Sequence, residues 1–469
     1  MTATGFPLSA AAIAEAVAGQ VVTGDRARRF ESFSIDSRTV RAGDLFVAIA
    51  GPRYDGHAFV TDAVARGAAG VMVSHVDTPA EPPGVPIVLV DDTVRALQAL
   101  ARHVRRASGA KVVAITGSAG KTTTKEVTAT FLEARYQTLR NRGNLNNHIG
   151  LPLSLLELQA GAEVAVVELG MNHAGEIRRL VEIAEPDVRV WTNVGTAHIG
   201  YFGSMDAIAE AKAEVLEGAT VSTVFVANAD DPRVMARVPG FPGRVVTFST
   251  DGARADVEAL EVGDHGLEGT TARVRTPAGD VQLETSLPGR ANLANVLAGI
   301  AVGITMGVSL EDIASRASRL RPAPRRGEVL RLARGIVVLD DSYNASPSAV
   351  RRVLELVSSN SSGRRRVAFL GEMLELGAAT ASLHRETGER VARAGIATLV
   401  AVGGDAARAL RDGAVTAGLD SSNVHCVETS DEAALLVDAV VRPGDLVLVK
   451  GSRGIRMERV VDALRAERH

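Results

Sequence analysis

The sequence predicts an α/β protein of three domains, and three observations carry that expectation. The chain has 469 residues, which at ordinary domain sizes makes about three compact units. Short β-branched runs alternate with helical patterns through most of the length, as in mainly parallel, doubly wound sheets. One such run, Val112-Val113-Ala114-Ile115, leads into Thr116-Gly117-Ser118-Ala119-Gly120-Lys121-Thr122-Thr123, a glycine-bearing loop that opens a helix. A loop of this kind aims backbone N–H groups and a helix N-terminus at one point, which suits a phosphate. By the mechanics of phosphate loops, Lys121 would reach the β- and γ-phosphates of a nucleotide and the Thr122 hydroxyl would sit on Mg²⁺. The spacing is shorter than the full Walker pattern, which has glycine where Ile115 stands.

Hydrophobic content of 46% and charge of 23% are ordinary for a globular chain. A net charge of −3 offers no basic footprint for nucleic acid or an anionic membrane. Cys426 is the single cysteine, so no intrachain disulfide can form, which fits a reducing compartment. The N-terminus lacks a basic leader and its apolar stretch is broken by Glu15. No uncharged apolar run reaches membrane-spanning length. The expectation is a cytoplasmic protein, not an integral membrane one. Of the 52 basic residues only five are lysines, at positions 111, 121, 125, 212 and 450. A lysine kept in an arginine-preferring chain can mark a place where a guanidinium would not serve.

Residues 1–109 form the first segment. Leu8 to Ala18 reads as an amphipathic helix with Ser9 as N-cap. Short strands and polar turns follow at Ser34-Ile35-Asp36-Ser37-Arg38, Gly43-Asp44-Leu45-Phe46-Val47-Ala48-Ile49 and Tyr54-Asp55-Gly56-His57-Ala58-Phe59. Thr78 to Pro86 is proline-rich and reads as a surface loop. Residues 110–321 form the second segment. After the phosphate loop come strands at Val164–Leu169, Val188–Val194 and Val224–Asn228, with helical patterns between them. Ligands of such sheets sit beyond the carboxyl ends of the strands, where Glu168 and His198 fall. Asp256 to Leu287 breaks the alternation with glycine-separated β-like runs, read as a small antiparallel insertion. Asn292 to Gly303 returns to helix. Residues 322–469 begin with the linker Pro322-Ala323-Pro324-Arg325-Arg326-Gly327. Strands at Ile336–Asp340, Val367–Leu370, Thr398–Val402 and Leu446–Val449 then alternate with helices, a second, Rossmann-like sheet. Ser358 to Gly363 reads as a flexible loop within it.

Lys212 stands apart. It lies in a helical pattern, Asp206 to Leu216, with Ser204 as N-cap. Ile208, Lys212 and Val215 share one face, so the lysine points with the apolar residues. No acid stands four residues away on either side to make a surface ion pair. Burial favours a neutral amine. Such an amine can add CO₂ and become an anionic carbamate, an oxygen ligand suited to Mg²⁺.

Together these motifs resemble one family, the Mur ligases, ATP-dependent amide ligases of peptidoglycan precursor synthesis, over nearly the whole chain. Thr116 to Thr123 is similar to the family's shortened phosphate loop. Asp36-Ser37-Arg38, Gly43-Asp44-Leu45-Phe46 and Asp55-Gly56-His57 resemble its N-terminal UDP-binding domain. Four stretches point to the member that acts last. They are Gly143-Asn144-Leu145-Asn146-Asn147, Glu168-Leu169-Gly170-Met171-Asn172, Asp341-Ser342-Tyr343-Asn344-Ala345-Ser346-Pro347 and Gly371-Glu372-Met373-Leu374-Glu375-Leu376-Gly377. Ser346 and Glu372 depart from that pattern, which has Asn and Asp there.

The resemblance implies a substrate pair, UDP-N-acetylmuramoyl-tripeptide and D-alanyl-D-alanine, with ATP as the energy source and two Mg²⁺ ions. It implies that Thr122 and Glu168 hold one ion, while His198 and a carbamylated Lys212 serve the second. Asn292 and Asn295 match the adenine side, and three residues apart they share a helix face. From residues alone, capping of the helix that begins there is the alternative, and Asn292 could do both. By the resemblance Arg326 reaches the γ-phosphate and Asp341 the ribose. Asn144, Asn146 and Asn147 touch the UDP-muramoyl substrate together with Ser34, Asp36, Ser37 and Arg38. Tyr343, Asn344, Ser346 and Lys450 hold the incoming dipeptide. A monomer is expected. Two alternatives stay open: a neighbouring Mur-type or folylpolyglutamate-type amide ligase, and a nucleotide-dependent switch on the same fold.

Overall fold

The computed structural model describes residues 6, 8–76, 84–141, 143–359 and 363–466. Most of the Thr78–Pro86 loop expectation lies outside the described residues, as do 360–362 of the Ser358–Gly363 expectation.

Nine strands form the central sheet. From one edge they run Gly279–Thr285, Thr270–Thr276, Val257–Asp264, Arg244–Ser249, Val224–Asn228, Val188–Trp191, Lys111–Thr116, Val164–Glu168 and Thr138–Arg140. Every neighbouring pair from Val257–Asp264 onward is parallel. A parallel sheet must be covered on both faces, and alternate residues of a strand point to opposite faces. The Lys111–Thr116 strand obeys this. Val112 and Ala114 join one hydrophobic core, while Val113 and Ile115 join the other. Helices Lys121–Leu132 and Arg290–Thr305 pack together on the second face.

The Asp256–Leu287 stretch is antiparallel, but it does not stand apart. Its three strands continue the central sheet, because Val257 and Glu258 pair in parallel with Phe248 and Ser249. Local glycine punctuation reports the turns and is silent about which sheet the strands join.

The N-terminal sheet has five strands. Its buried strands Asp44–Val47 and Gly70–Val73 sit at the centre. Ser9 caps the helix Ala10–Ala16 by accepting from the Ala12 amide, as expected. Helix Thr93–Ser108 ends at Gly109 (φ 65°) and packs on the central helices Gly150–Leu156 and Glu176–Ala184. The first and second cores are therefore continuous on that face.

The C-terminal sheet has six strands, in the order Glu328–Arg331, Val337–Asp341, Leu446–Lys450, Arg366–Gly371, Thr398–Val402 and Val424–Val427. Only the first pair is antiparallel. Helix Pro347–Ser359 extends through Ser358 and Ser359, which corrects the loop expected from residue 358. Val350, Val353, Leu354 and Val357 give that helix its buried stripe, and local serines do not end it.

Candidate active site

The loop after the Lys111–Thr116 strand is built to approach a ligand closely. Gly117 has φ 148°, and a Cβ there would lie 2.0 Å from Thr192 Oγ1. Gly120 has φ 85°, and a Cβ there would lie 2.3 Å from Asn295 Oδ1. Only glycine fits both positions. Gly120 starts the helix Lys121–Leu132 with no side-chain cap, so the helix N-terminus stays open to an anion. The loop is clamped from the neighbouring strand's end. Thr192 Oγ1 donates to the Ala119 carbonyl at 2.7 Å. Asn193 accepts from the Ala119 amide at 3.0 Å and donates to its carbonyl at 3.0 Å.

Glu168 ends the strand next to this loop and is buried. Its carboxylate accepts from Thr122 Oγ1 at 2.7 Å and from Asn146 Nδ2 at 2.8 Å. Burial works to raise its pKa, but the Lys121 charge, the Thr122 hydrogen bond, Arg326 and Asn146 outweigh it and hold the acid below its usual range. It is an ionised carboxylate beside a hydroxyl, a donor set of hard oxygens that fits Mg²⁺. The Glu168 amide donates to Asn141 Oδ1 at 3.0 Å, and buried Lys125 donates to the Asn141 carbonyl. Lys121 donates to the Gly117 carbonyl at 2.8 Å. Burial lowers its pKa, which Glu168 counters and Arg326 reinforces.

Lys212 is 1% exposed near the end of helix Met205–Ala213, which Ser204 caps as expected. Its side-chain amine makes no hydrogen bond or ion pair among the described residues. Burial and the Lys121 charge push its pKa well down, against a smaller pull from Glu168. His198 sits in left-handed backbone at φ 66°. Its Nδ1 meets Glu375 Oε2 of the third domain at 2.6 Å. Arg326 forms no salt bridge among the described residues, and its guanidinium stacks 3.9 Å from the Tyr343 ring centroid. Lys450 is buried and committed to Asp341 and to the Asn344 carbonyl. Asn295 Oδ1 accepts from Thr124 at 3.1 Å, and Asn292 Nδ2 donates back to Pro288. Gly289 is the N-cap of their helix, so neither asparagine is.

One cavity of about 1430 Å³ gathers most of these groups at the meeting of the second and third domains. Residues Ser118 to Thr123 line it, with Asn144, Asn146, Asn147, Glu168, His198, Lys212, Asn292 and Asn295. From the third domain come Arg326, Asp341, Tyr343, Asn344, Ser346 and Lys450. Thr116 and Gly117 lie just behind it, at the root of the loop. Asn147 turns its side chain onto the Ile149 and Gly150 amides.

Ser34, Asp36, Ser37 and Arg38 are elsewhere, in the first domain. Arg38 grips Asp36 through two nitrogens at 2.9 and 2.7 Å. That hydrogen bond holds the Asp36 pKa at about 2. Asp55, His57 and His75 also cluster in the first domain. His57 Nε2 accepts from the Ser74 amide at 2.9 Å, so its proton sits on Nδ1, toward Asp55 at 2.6 Å. Neither nitrogen is left to ligate a cation.

Sequence reasoning passed over Thr192, Asn193, Asn141 and Glu375 as site residues. Thr192 and Asn193 had a signal, since they come directly after a parallel strand's carboxyl end, and Glu168 forms another such end.

Three family models match the chain. "Mur ligase family, catalytic domain" covers residues 29–105, "Mur ligase middle domain" 115–303 and "Mur ligase, glutamate ligase domain" 325–453. The UDP-N-acetylmuramoyl-tripeptide–D-alanyl-D-alanine ligase of Escherichia coli K12 is 35% identical, over 92% of this chain and 93% of that protein. The chain belongs to the Mur ligase family. The Bacillus subtilis ligase of the same name is 34% identical, over 92% of each chain. Among solved Mur ligases, a crystal structure of MurF from Acinetobacter baumannii superposes with TM-score 0.88 at 30% identity, covering 98% of this chain and 99% of that one. MurF from Thermotoga maritima in complex with ADP superposes with TM-score 0.79 at 31% identity, covering 93% and 97%. The three-domain Mur ligase architecture expected from the sequence is the one observed.

Proposed function

We propose that this chain is an ATP-dependent, ADP-forming ligase that joins D-alanyl-D-alanine to UDP-N-acetylmuramoyl-tripeptide in cytoplasmic peptidoglycan precursor synthesis. The observation that carries the reading is the Lys121–Glu168–Thr122 group, facing one cavity with Arg326 and Tyr343 of the third domain. Relatives that carry this activity by name match over nearly the full length.

A carboxylate is a poor electrophile. An oxygen of the tripeptide's terminal carboxylate attacks the γ-phosphorus of ATP, and ADP leaves. The resulting acyl phosphate is attacked by the dipeptide amine. Phosphate departs, the amine loses a proton, and the amide remains. Phosphoryl transfer of this type rests on positioning and charge neutralisation. The open helix start after Gly120 and Lys121 would receive the phosphates. Arg326 would meet the γ-phosphate from the other side. Asn292 and Asn295 would border the adenine, and Asp341 the ribose.

Thr122 and Glu168 would hold one Mg²⁺, which supplies further neutralisation of phosphate charge. A second Mg²⁺ would use His198 and Lys212 as its carbamate, formed when the neutral amine adds CO₂ and releases a proton. The buried, unpartnered state of Lys212 supports this. Asn144, Asn146 and Asn147 would border the UDP-muramoyl substrate, with Ser34, Asp36, Ser37 and Arg38 on its nucleotide end. Tyr343, Asn344 and Ser346, braced by Lys450, would receive the dipeptide.

The test mixes the protein with ATP, Mg²⁺, UDP-tripeptides and D-alanyl-D-alanine and detects product by mass. Phosphate release that needs both substrates supports the ligase. Release indifferent to them would mark a nucleotide-dependent switch instead.

A further inference from the structure

Glu375 has no part in the phosphate chemistry above, yet it joins the third domain to the second, as the Arg331–Glu268 ion pair also does. Its side chain meets His198 Nδ1 at 2.6 Å, and its carbonyl accepts from the Gly200 amide at 2.9 Å. Gly200 and Gly377 are packed so closely that a Cβ on Gly200 would lie 2.5 Å from the Gly377 nitrogen. Glu375 has φ 65° and His198 has φ 66°, the left-handed region that residues with a Cβ seldom occupy. Two such backbones facing each other across a domain boundary are held there by their surroundings.

With Nδ1 donating to the carboxylate, a neutral His198 ring keeps its free lone pair on Nε2. A carboxylate behind a functional imidazole fixes both its tautomer and its orientation. Glu375 comes from a different domain, on the loop after Arg366–Gly371, so this support exists only when the third domain is docked.

We propose that Glu375 is a positioning residue that couples third-domain docking to His198, setting the ring's tautomer and aim at the moment the cavity closes. The proposal rests on the ligase reading for its kinetic consequence and on the fold alone for its docking consequence.

Two variants separate the roles. Glu375→Gln keeps an oxygen that can accept from Nδ1, and Glu375→Ala removes it. Glu375 is 37% exposed at the side chain, so truncation opens no buried cavity. Each variant is measured in two ways: small-angle scattering of the full chain with and without ADP, and kcat and KM for each substrate. Glu375→Ala is expected to enlarge the radius of gyration and lower kcat about 10- to 100-fold, the usual cost of losing such a support. KM for ATP should stay near wild type. Glu375→Gln should restore compactness and most of kcat. Wild-type kcat or wild-type dimensions in Glu375→Ala, or equal losses in both variants, overturn the proposal. If the wild-type chain forms no product, the ligase reading fails and the scattering arm alone decides the docking role.

Discussion

Thr122 and Glu168 are 46 residues apart in the chain, and the hydroxyl of one donates to the carboxylate of the other at 2.7 Å. The register of two parallel strands makes this contact. Glu168 stands level with Ile115, so the acid that ends one strand meets the loop that leaves the other. Lys121 keeps that acid ionised against the cost of burial. The pair is an oxygen-rich, water-poor corner, and the first three predictions start from it.

Lys121→Ala should remove turnover while leaving the fold intact. Among the described residues its one side-chain hydrogen bond goes to the loop's own Gly117 carbonyl, so its loss frees one main-chain acceptor and takes a charge from beside Glu168, which keeps its hydrogen bonds from Thr122 and Asn146. A drop in kcat of about 10³-fold or more is expected for a group opposite the transferring phosphoryl. Product formation at wild-type rate by a folded Lys121→Ala protein would remove the phosphate-loop reading.

Arg326→Ala should act on kcat more than on KM for ATP. The residue belongs to the third domain, is held by stacking on Tyr343 and forms no salt bridge among the described residues, so its guanidinium nitrogens are left for a nucleotide phosphate. A loss of about 10²- to 10³-fold in kcat matches removal of one preorganised charge partner. Steady-state kinetics with varied ATP decides it, and a change confined to KM would make Arg326 a ground-state contact.

Lys212→Ala should be inactive and recover on addition of short carboxylates, which replace the carbamate oxygens. Lys212→Arg should stay inactive, because a guanidinium cannot add CO₂. Full activity of Lys212→Arg would show that the site needs a cation or nothing. Intact-protein mass measured in bicarbonate would give an independent reading of the adduct.

His384 predicts an acid-side loss of stability. Its ring is buried, accepts the Met373 amide on Nε2 at 2.9 Å and donates from Nδ1 to the Thr380 carbonyl at 2.7 Å. Burial lowers its pKa from 6.5, against smaller upward pulls from Thr380 and Glu372. The folded ring is neutral where the unfolded one takes a proton. This contribution is therefore present above about pH 6.5 and is lost as pH falls toward the lower folded value. The melting temperature should fall between about pH 7 and pH 5, and His384→Gln should flatten that fall while lowering stability at neutral pH. Equal slopes in both proteins would refute the assignment.

What the amino-acid sequence determined by itself is local and periodic. The unbroken apolar run of Val112 to Ile115 prescribed a buried strand, and it is covered on both faces. The spacing of Ile208, Lys212 and Val215 prescribed a lysine turned inward, and Lys212 is buried with them. Strand ends announced Glu168, and Thr192 and Asn193 could have been read by the same rule. Tertiary structure decided what depends on partners far along the chain. It joined the antiparallel strands of Asp256–Leu287 to the edge of the central sheet, because sheet membership is set by pairing with Phe248 and Ser249. It carried the helix through Ser358 and Ser359, since the buried stripe of Val353, Leu354 and Val357 outweighs weak local preference. It joined His198 to Glu375 across 177 positions of sequence. No periodicity reaches that far: a pattern along the chain records which way a side chain faces, and only packing decides what it meets there.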